Sequence, residues 1–584
     1  MNTFNEYEKT SSKAAILLFL SLIFLFVGSS LPTINTVTPR LNSDLMAFFG
    51  LGLFGVVTCF YLPREAIRFS LSSLGMLCGG WLMLACVQYI AGINTTYFSY
   101  FLVTTSYLVA VVLLSAWVKM WVQAGQGRLL ADTVMTGVLI AGLLQAASIW
   151  LQMLQLQDWL SPWLNKSASF PRQGGFLSQP NLCASLMVSA MVCLVFLKPE
   201  EEEQSARPAP WRLVAMGFMM LAVYATSSRT GYLEVLLVSG LLALVRHRLK
   251  ISWVWVALIV WQLLAIGVGE VLATLGLMSG QLLEESRKAV EASGNHRIRI
   301  LSDVWLLIQQ HPWMGVGWRQ LQVTQVLTPG ITEPVDHAHN LVAQIQVELG
   351  ILGTLSLLAF TGFWLFKKKP WLQANGAELA MVCVVMVLGL HSLLEYPLWH
   401  ALFLFLFVIA FSLLPEETYP VRLPLWLVKG FGMLLLFCTA WFYIDHSKAV
   451  SAYERFSQNK SSEELIAANK TVWWNRLLFE SIFMINTPVN DVTRPLIRSI
   501  AKENANVFSQ TIFINLPLLQ VKIQDGEIET ANQLGKRICL NTSEENWKEI
   551  QLHLAALQDP RFNKWLDQLS PRYLELQKLI LLLA

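Results

Sequence analysis

The chain has 584 residues, of which 54% are hydrophobic and only 14% are charged, and its mean hydropathy is +0.50. Soluble proteins carry about a quarter charged residues, so this composition excludes a soluble globular protein. The net charge of +3 gives no reason to expect a nucleic-acid partner. Apolar runs of roughly 20 residues, long enough to cross a bilayer, recur from Ala14 onward and predict an all-α, polytopic membrane protein.

The apolar runs predict about thirteen transmembrane helices. The first run has no small-residue cleavage site after it, so we interpret it as a retained span rather than a signal peptide. Lysine and arginine cluster in alternate short loops, which assigns those loops and the N-terminus to the cytoplasm and the C-terminal region to the opposite side. The predicted spans are residues 14–31, 45–62, 71–92, 100–121, 130–155, 181–197, 212–226, 230–245, 251–273, 341–366, 377–394, 398–414 and 425–443.

The composition changes after the last predicted span. From Asp445 to Ala584, apolar residues recur at helical spacing with polar residues between them. We therefore predict a transmembrane domain over residues 1–444 and a soluble helical domain over 445–584. The second domain either stabilises the first or docks a partner or acceptor. Seven of the eight cysteines lie in apolar runs and only Cys539 lies in polar sequence, so neither a disulfide framework nor a CxxC metal site is predicted.

Four polar stretches fall on the side opposite the basic loops. They are "FPRQGGFLSQPNLCAS" (170–185), "SSRTG" (227–231), the long loop 274–340 and "HSLLEYPLWH" (391–400). The charge rule that oriented the spans takes no account of these motifs, yet it puts all four on one face. This agreement predicts a functional site at the outer surface of the membrane.

The stretch "DHAHN" (336–340) contains the candidate catalytic base, His339. An imidazole can accept a proton at neutral pH, which suits a general base. Asn340, Gln344 and Glu348 follow at intervals of four and predict a polar stripe on one helix face, descending roughly 12 Å into the membrane. Because a buried acid is costly there, Glu348 should face a cavity or a partner. The alternatives are solvated loop histidines, or a metal site formed by Asp336, His337 and His339.

Three arginines supply the positive charge of the predicted site. Arg172 precedes the sixth span, Arg229 begins the eighth, and Arg297 lies in the long loop. Several guanidinium groups near a base would suit a phosphate or pyrophosphate, which they bind bidentately. The alternative for each is an arginine that extends from a helix end toward the interface.

Two further motifs have both a structural and a functional interpretation. Gln179 and Asn181 flank Pro180, so "SQPN" is either part of the site or an N-terminal helix cap with proline in the first turn. Glu395 and Tyr396 are either site residues or part of a rigid turn before Pro397. The sequence contains no GxxxxGK[ST], GxSxG or HExxH motif, and "GVGW" (315–318) is weak evidence of any function.

The motifs together resemble a known family. "GGFLSQPNLCASLM", "SSRTGYL", "HRIRILSDVWLLIQQHPWMGVGW", "DHAHNLVAQIQVELGILG" and "HSLLEYPLWHALFL" occur in the order seen in the O-antigen ligase and polymerase-like (Wzy_C) superfamily. The sequence is most similar to bacterial protein O-oligosaccharyltransferases of the PglL or pilin-glycosylase type. The resemblance covers roughly residues 170 to 415 and the soluble tail.

The resemblance implies transfer of a preassembled glycan from undecaprenyl pyrophosphate to a serine or threonine of a periplasmic acceptor protein such as a pilin, at the bacterial inner membrane. It implies that His339 is essential, that Arg229 and Arg297 act on the donor, and that Gln179 and Tyr396 matter in the protein-glycosylating subgroup. It implies no metal and no cofactor. The partners are then a lipid-linked oligosaccharide, an acceptor protein and the bilayer.

The chemistry of the residues agrees with this resemblance. A hydroxyl is a poor nucleophile until a base removes its proton, which His339 would do. We predict direct displacement with inversion, because the sequence shows no obvious carboxylate nucleophile beside the histidine. The rivals are an O-antigen ligase acting on lipid A core, a Wzy-type polymerase, and, in another class, a secondary transporter. A transporter predicts internal repeats and midplane sites, for which the sequence gives no convincing signal.

Overall fold

The structure is a computed structural model that describes most of the membrane region and parts of the C-terminal region. Residues 275–295 of the predicted loop 274–340 lie outside the described residues, as do many residues of the predicted domain 445–584. The described residues are 15–31, 39–62, 67–96, 98–164, 172–197, 210–248, 254–274, 296–328, 331, 334–374, 376–459, 467, 471–476, 480, 483–484, 489–491, 493–503, 512–540, 548, 552, 554 and 560–565.

Helices account for nearly all of the described secondary structure, which confirms the predicted all-α class. The strands β1 (Ser70–Leu71) and β2 (Tyr419–Pro420) form one short antiparallel pair. The helices are α1 (Ala15–Ser30), α2 (Pro39–Tyr61), α3 (Ser73–Ile90), α4 (Phe98–Gln123), α5 (Gly127–Met153), α6 (Pro180–Phe196), α7 (Pro210–Ala225), α8 (Arg229–Leu244), α9 (Val254–Thr274), α10 (296–310), α11 (Leu321–Leu327), α12 (Leu341–Gly362), α13 (Pro370–Gln373), α14 (Ala377–Leu394), α15 (Ala401–Leu413), α16 (Leu425–Asn459), α17 (Arg494–Glu503), α18 (Ile512–Gln524) and α19 (Ile528–Leu540).

The protein is a multi-pass membrane protein. Seven of the described helices are long and apolar enough to cross a bilayer, and several shorter apolar helices pack among them. The predicted number of thirteen spans stays a prediction. The seven helical segments are Leu41–Tyr61, Ser73–Ile90, Phe98–Gln123, Gly127–Met153, Leu341–Leu372, Ala377–Leu394 and Leu425–Ala452.

Helix α6 lies at the centre of the bundle. Every residue of this helix is buried, and it packs along α5, α7, α8 and α14. Small residues allow these backbones to approach closely. A Cβ atom added at Gly142 of α5 would lie 2.2 Å from the Cβ of Ala190 of α6, so the contact requires glycine. Side chains at the N-terminus of α6 are consequently held in fixed positions by several neighbouring helices.

Helix α12 is broken at Gly350, which has φ 69° and ψ −162°. The break exposes carbonyl groups of the preceding turn, and the "GVGW" stretch satisfies them. The N–H of Val316 donates to the carbonyl of Val347 at 2.7 Å, and that of Gly317 donates to the carbonyl of Glu348 at 3.1 Å. Gly315 is needed because a Cβ atom there would lie 2.6 Å from the backbone of Glu348, so this motif has a defined structural role that the sequence did not indicate.

Helix α16 has 35 residues and passes without a break through the predicted boundary at 444/445. Just beyond the apolar part, Asp445 accepts hydrogen bonds from the N–H groups of Trp473 and Asn475 at 2.9 and 3.0 Å. Two separate hydrophobic clusters lie in the described part of the C-terminal region. The division into two domains stays a prediction.

Candidate active site

Four helix ends meet at one end of the bundle. The N-termini of α6, α8 and α12 are capped by the side chains of Gln179, Ser228 and Asn340, each of which accepts a hydrogen bond from a backbone N–H three residues later. The Nδ2 group of Asn340 also donates to the carbonyl of Leu393 at 3.0 Å and so joins α12 to the C-terminus of α14. Gln179 therefore has the structural capping role that the sequence offered as an alternative. Three helix N-termini bring partial positive charge to this end.

His339 and Glu395 form a hydrogen-bonded pair at the centre of this end. The Nδ1 atom of His339 lies 2.8 Å from Oε2 of Glu395, and the carboxylate side chain is only 5% exposed. His339 has φ 51°, a left-handed conformation that is uncommon for residues other than glycine and is often found at functional sites. Arg297 forms an ion pair with the other carboxylate oxygen.

This pair corrects one expectation from the sequence, because a carboxylate does lie beside the histidine. Glu395 is 56 residues away along the chain, which is why the sequence hides the contact. Its two oxygens are already bound by the histidine, by Arg297 and by the Nδ2 group of Asn181 at 3.0 Å. A buried carboxylate with this many donors is poorly suited to attack a sugar, so direct displacement remains the expected reaction.

Glu395 is ionised at physiological pH. Burial raises the pKa of this carboxyl group, but the hydrogen bond from His339 and the positive charge of Arg297 lower it further, to about 2. An ionised carboxylate can only accept hydrogen bonds. In the neutral imidazole, Nδ1 must then carry the proton, which leaves the lone pair of His339 on Nε2.

Asn181 connects the arginines to this pair. Its Oδ1 accepts hydrogen bonds from Nη2 of Arg172 and from Oγ of Ser228, both at 2.8 Å, while its amide donates to Glu395. Arg172 also donates through Nε to the carbonyl of Thr226 at 3.2 Å. The predicted site residues Arg172 and Asn181 thus lie in one buried network with Glu395.

Arg229 is exposed at the first position of α8, and no hydrogen bond or ion pair holds its guanidinium among the described residues. It lies near the other two arginines. Burial lowers the pKa of Arg172, Glu395 raises it, and the neighbouring charges of Arg297 and Arg229 lower it again. Arg297 pairs with Glu395, and Arg172 and Arg229 add two further positive charges nearby, an arrangement that suits an anion with several oxygens.

A small, open cleft adjoins the His339–Glu395 pair. His337 stacks on Tyr396 with ring centroids 3.4 Å apart, and the ring of His339 lies edge-on to Tyr396 at 5.3 Å. The predicted residues His337 and Tyr396 therefore pack together beside His339. The cleft is lined by His337, His339, Asn340, Leu341, Gln344, Ser392, Glu395, Tyr396, Leu398 and Trp399.

The predicted polar stripe of α12 turns toward the protein interior. Oε1 of Gln344 accepts a hydrogen bond from the N–H of Ala338 at 2.6 Å, and its Nε2 donates to Glu348 at 2.8 Å. Both side chains are buried. Gln344 thus fixes the backbone next to His339, and Glu348 anchors Gln344.

Sequence reasoning missed two groups of residues near this site. Ser185, Glu234 and His391 form a fully buried cluster one helical turn below Asn181 and Glu395, with Ser185 Oγ 2.5 Å from both Glu234 Oε1 and His391 Nδ1. The available signal was that Ser185 lies four residues after Asn181 and His391 four residues before Glu395, whereas Glu234 has no such spacing. Arg319, which directly follows "GVGW", lies 4.5 Å above the ring of Trp399 in the cleft wall, and only tertiary contact identifies that pair.

The arrangement combines a base, a fixed tautomer and an anion site around one cleft. In the part of the chain that the structure describes, no three His, Cys, Asp or Glu side chains are grouped so as to hold a metal ion. Groups arranged in this way can bind an anion and accept a proton from a neighbouring hydroxyl.

Comparisons with known proteins show similarity to two families. Residues 214–358 match the family described as O-Antigen ligase, and residues 379–483 match the family described as Virulence factor membrane-bound polymerase, C-terminal. The first match contains Arg229, Arg297 and His339, and the second contains Glu395 and Tyr396. These segments of the chain are thus similar to O-antigen ligases and to membrane-bound polymerases.

A curated relative is the General O-oligosaccharyltransferase of Acinetobacter baylyi (strain ATCC 33305 / BD413 / ADP1). It is 25% identical over 343 residues, a stretch that covers 54% of this chain and 58% of the relative. The chain thus matches somewhat more than half the length of this relative. No solved structure matches the chain.

Proposed function

We propose that this protein is an oligosaccharyltransferase that moves a preassembled glycan from undecaprenyl pyrophosphate to a serine or threonine hydroxyl of a periplasmic acceptor protein such as a pilin. The observation that carries the proposal is the His339–Glu395 pair, 2.8 Å apart, beside three arginines at the helix ends. The Acinetobacter relative, a general O-oligosaccharyltransferase, supports the same reaction class.

His339 is the proposed general base. Its Nε2 lone pair accepts the proton of the acceptor hydroxyl as the oxygen attacks C1 of the first sugar. Glu395 stabilises the imidazolium that forms and holds the ring in position, although it does not itself take the proton. One C–O bond forms and the C–O bond to pyrophosphate breaks, so the bonding electrons leave with the phosphate.

Arg172, Arg229 and Arg297 are the proposed pyrophosphate site. The departing pyrophosphate gains negative charge, and guanidinium groups already in place stabilise that charge in the transition state. Asn181 keeps Arg172 close to Glu395. The polyprenyl tail of the donor stays in the bilayer, which explains why such a site belongs at the ends of membrane helices. No nucleotide is needed, because the donor bond is already activated.

The catalytic base does not distinguish between acceptors, since a ligase and a protein glycosylase need the same base. Transfer to lipid A core, or polymerisation of glycan units, is favoured by the family descriptions of the two matched segments. We favour a protein acceptor because the resemblance to protein O-oligosaccharyltransferases extends into the C-terminal region, which is held to α16 through Asp445.

The test is expression of the chain with a lipid-linked glycan pathway and a pilin, followed by intact-mass measurement of the pilin. We expect a mass increase equal to one glycan with the wild type and none with His339→Ala. An unmodified pilin together with modified lipid A core would reject the protein acceptor. Full transfer by a folded His339→Ala protein would remove the histidine from the mechanism.

A further inference from the structure

Arg319 is a cation that the proposed reaction does not use. It follows the "GVGW" stretch, has φ 60°, and lies 4.5 Å above the ring of Trp399, which lines the cleft beside His339 and Glu395. Among the described residues its guanidinium has no carboxylate within 4 Å and no hydrogen-bond acceptor. The indole N–H of Trp399 is buried and likewise has no acceptor there. Both groups therefore keep unused hydrogen-bond donors, and the ring of Trp399 connects Arg319 to the wall of the cleft.

The charge of Arg319 is preserved by its surroundings. Burial lowers its pKa, but Tyr100, Glu348, Asp336 and Tyr107 raise it, so the group stays protonated. The two nearby carboxylates have other partners, since Glu348 binds Gln344 at 2.8 Å and Asp336 lies 3.3 Å from His337. They influence Arg319 from a distance and leave its hydrogen-bond donors unused.

Arg319 belongs to a different side of the site from the other arginines. Its loop is held by α3, because Gln88 binds the carbonyl of Met314 at 2.6 Å and the N–H of Trp318 at 3.1 Å. Arg172 and Arg229 instead belong to the surroundings of α6 and α8, and Arg172 is influenced by Glu395, Arg297 and Arg229 but not by Arg319. Arg319 thus lies in a different part of the structure from the arginines near α6 and α8, and its partner Trp399 lines the same cleft as His339 and Glu395.

Displacement with inversion requires the attacking oxygen to approach the face of the sugar opposite the leaving group. If pyrophosphate occupies the region of Arg172, Arg229 and Arg297, an acceptor held at Arg319 would lie away from the leaving group, as inversion requires. We propose that Arg319 and Trp399 form an acceptor subsite that binds the carboxylate of an aspartate or glutamate close to the glycosylated hydroxyl. This rests on the proposed function and adds a preference for acidic acceptor sequences.

The test uses the full chain in nanodiscs, an undecaprenyl-pyrophosphate-linked oligosaccharide, and two peptides that differ only in having Asp or Asn beside a single serine. For the wild type we expect kcat/KM to be about 10-fold or more higher with the Asp peptide, since a charge-assisted hydrogen bond is lost with Asn. In Arg319→Gln the two peptides should become equal, with the loss confined to the Asp peptide and expressed in KM. Arg319→Lys should give an intermediate preference, because it keeps the charge but not the planar fork.

Arg246→Gln, a change at an exposed arginine outside the cleft, is the matched control and should keep the wild-type preference. If Arg319→Gln does not fold, the wild-type preference and the lysine variant decide the matter. Equal use of both peptides by the wild type, or an equal loss on both peptides in Arg319→Gln, overturns the subsite while the proposed function stands. Absence of transfer to either peptide, with glycan found on lipid A core, rejects the protein acceptor and the subsite with it.

Discussion

The Nδ1 atom of His339 and the Oε2 atom of Glu395 lie 2.8 Å apart, although 56 residues separate them in sequence. This hydrogen bond fixes which ring nitrogen can act as a base. Replacing Glu395 with glutamine keeps the shape of the side chain but allows the wrong tautomer, so we expect kcat to fall about 100-fold or more with little change in KM. Transfer rates measured at saturating donor test this. Glu417→Gln, at an exposed carboxylate, is the control and should be neutral. Unchanged kcat in Glu395→Gln would show that the ring is positioned by other contacts.

The pH dependence of stability follows from the same carboxylate. Its pKa in the folded protein, about 2, is depressed below the ordinary value of 4.5. The stabilisation is therefore complete above the unfolded value and is lost as the pH falls toward 2. We expect the difference in Tm between wild type and Glu395→Gln to be constant from pH 6 to 8 and to shrink as the pH falls from about 5 to 3. Thermal scans across this range measure the difference. A gap that grows on acidification would contradict the assignment.

Asn181 is the hub that joins Arg172, Ser228 and Glu395. Asn181→Ala leaves several buried partners without hydrogen bonds and should destabilise the protein by about 1–3 kcal/mol. Asn181→Asp should reduce transfer further, because the amide that donates to Glu395 becomes a second carboxylate facing the first. Thermal stability and transfer rate measured side by side test both changes. The control is Ser189→Ala on the same helix, whose buried hydroxyl has no partner among the described residues and should be dispensable. Equal behaviour of the alanine and aspartate variants would argue against the proposed repulsion.

Gly350 should not tolerate a side chain. A Cβ atom there would lie 2.1 Å from the carbonyl oxygen of Trp313, and the positive φ is unfavourable for alanine. We expect Gly350→Ala to cost about 2 kcal/mol or more and to lower transfer, because the break orients the half-helix that carries Gln344. Gly362→Ala on the same helix meets no atom within 4 Å and serves as the control. Equal thermal stability of the two variants would contradict this account of the break.

Much of the fold was accessible from the sequence because hydropathy acts locally. Apolar runs predicted an all-α membrane protein, and the interval of four between Asn340, Gln344 and Glu348 predicted a stripe that turns away from lipid. The number of spans was harder to predict, since several apolar helices in the bundle, such as α15, have fewer than 18 residues.

The parts of the site that the sequence did not reveal depend on tertiary contact. From the sequence, Glu395 was only a candidate site residue in a turn. The residues around it give no sign that it contacts His339 and Arg297. The same holds for Arg319 on Trp399, and for the glycines of "GVGW", whose role appears only when the broken helix lies against them. By contrast, Gln179 was correctly offered as a cap, since capping is a short-range effect.

The unbroken helix α16 sets the rotation of the C-terminal region about the helix axis. A rigid rod of 35 residues couples rotation to length, so inserting one residue between the apolar part and Asp445 would turn the distal portion by about 100° and advance it by about 1.5 Å. Inserting seven residues would nearly restore the original direction at a greater height. The number of residues in α16 therefore determines how the C-terminal region is oriented relative to the cleft.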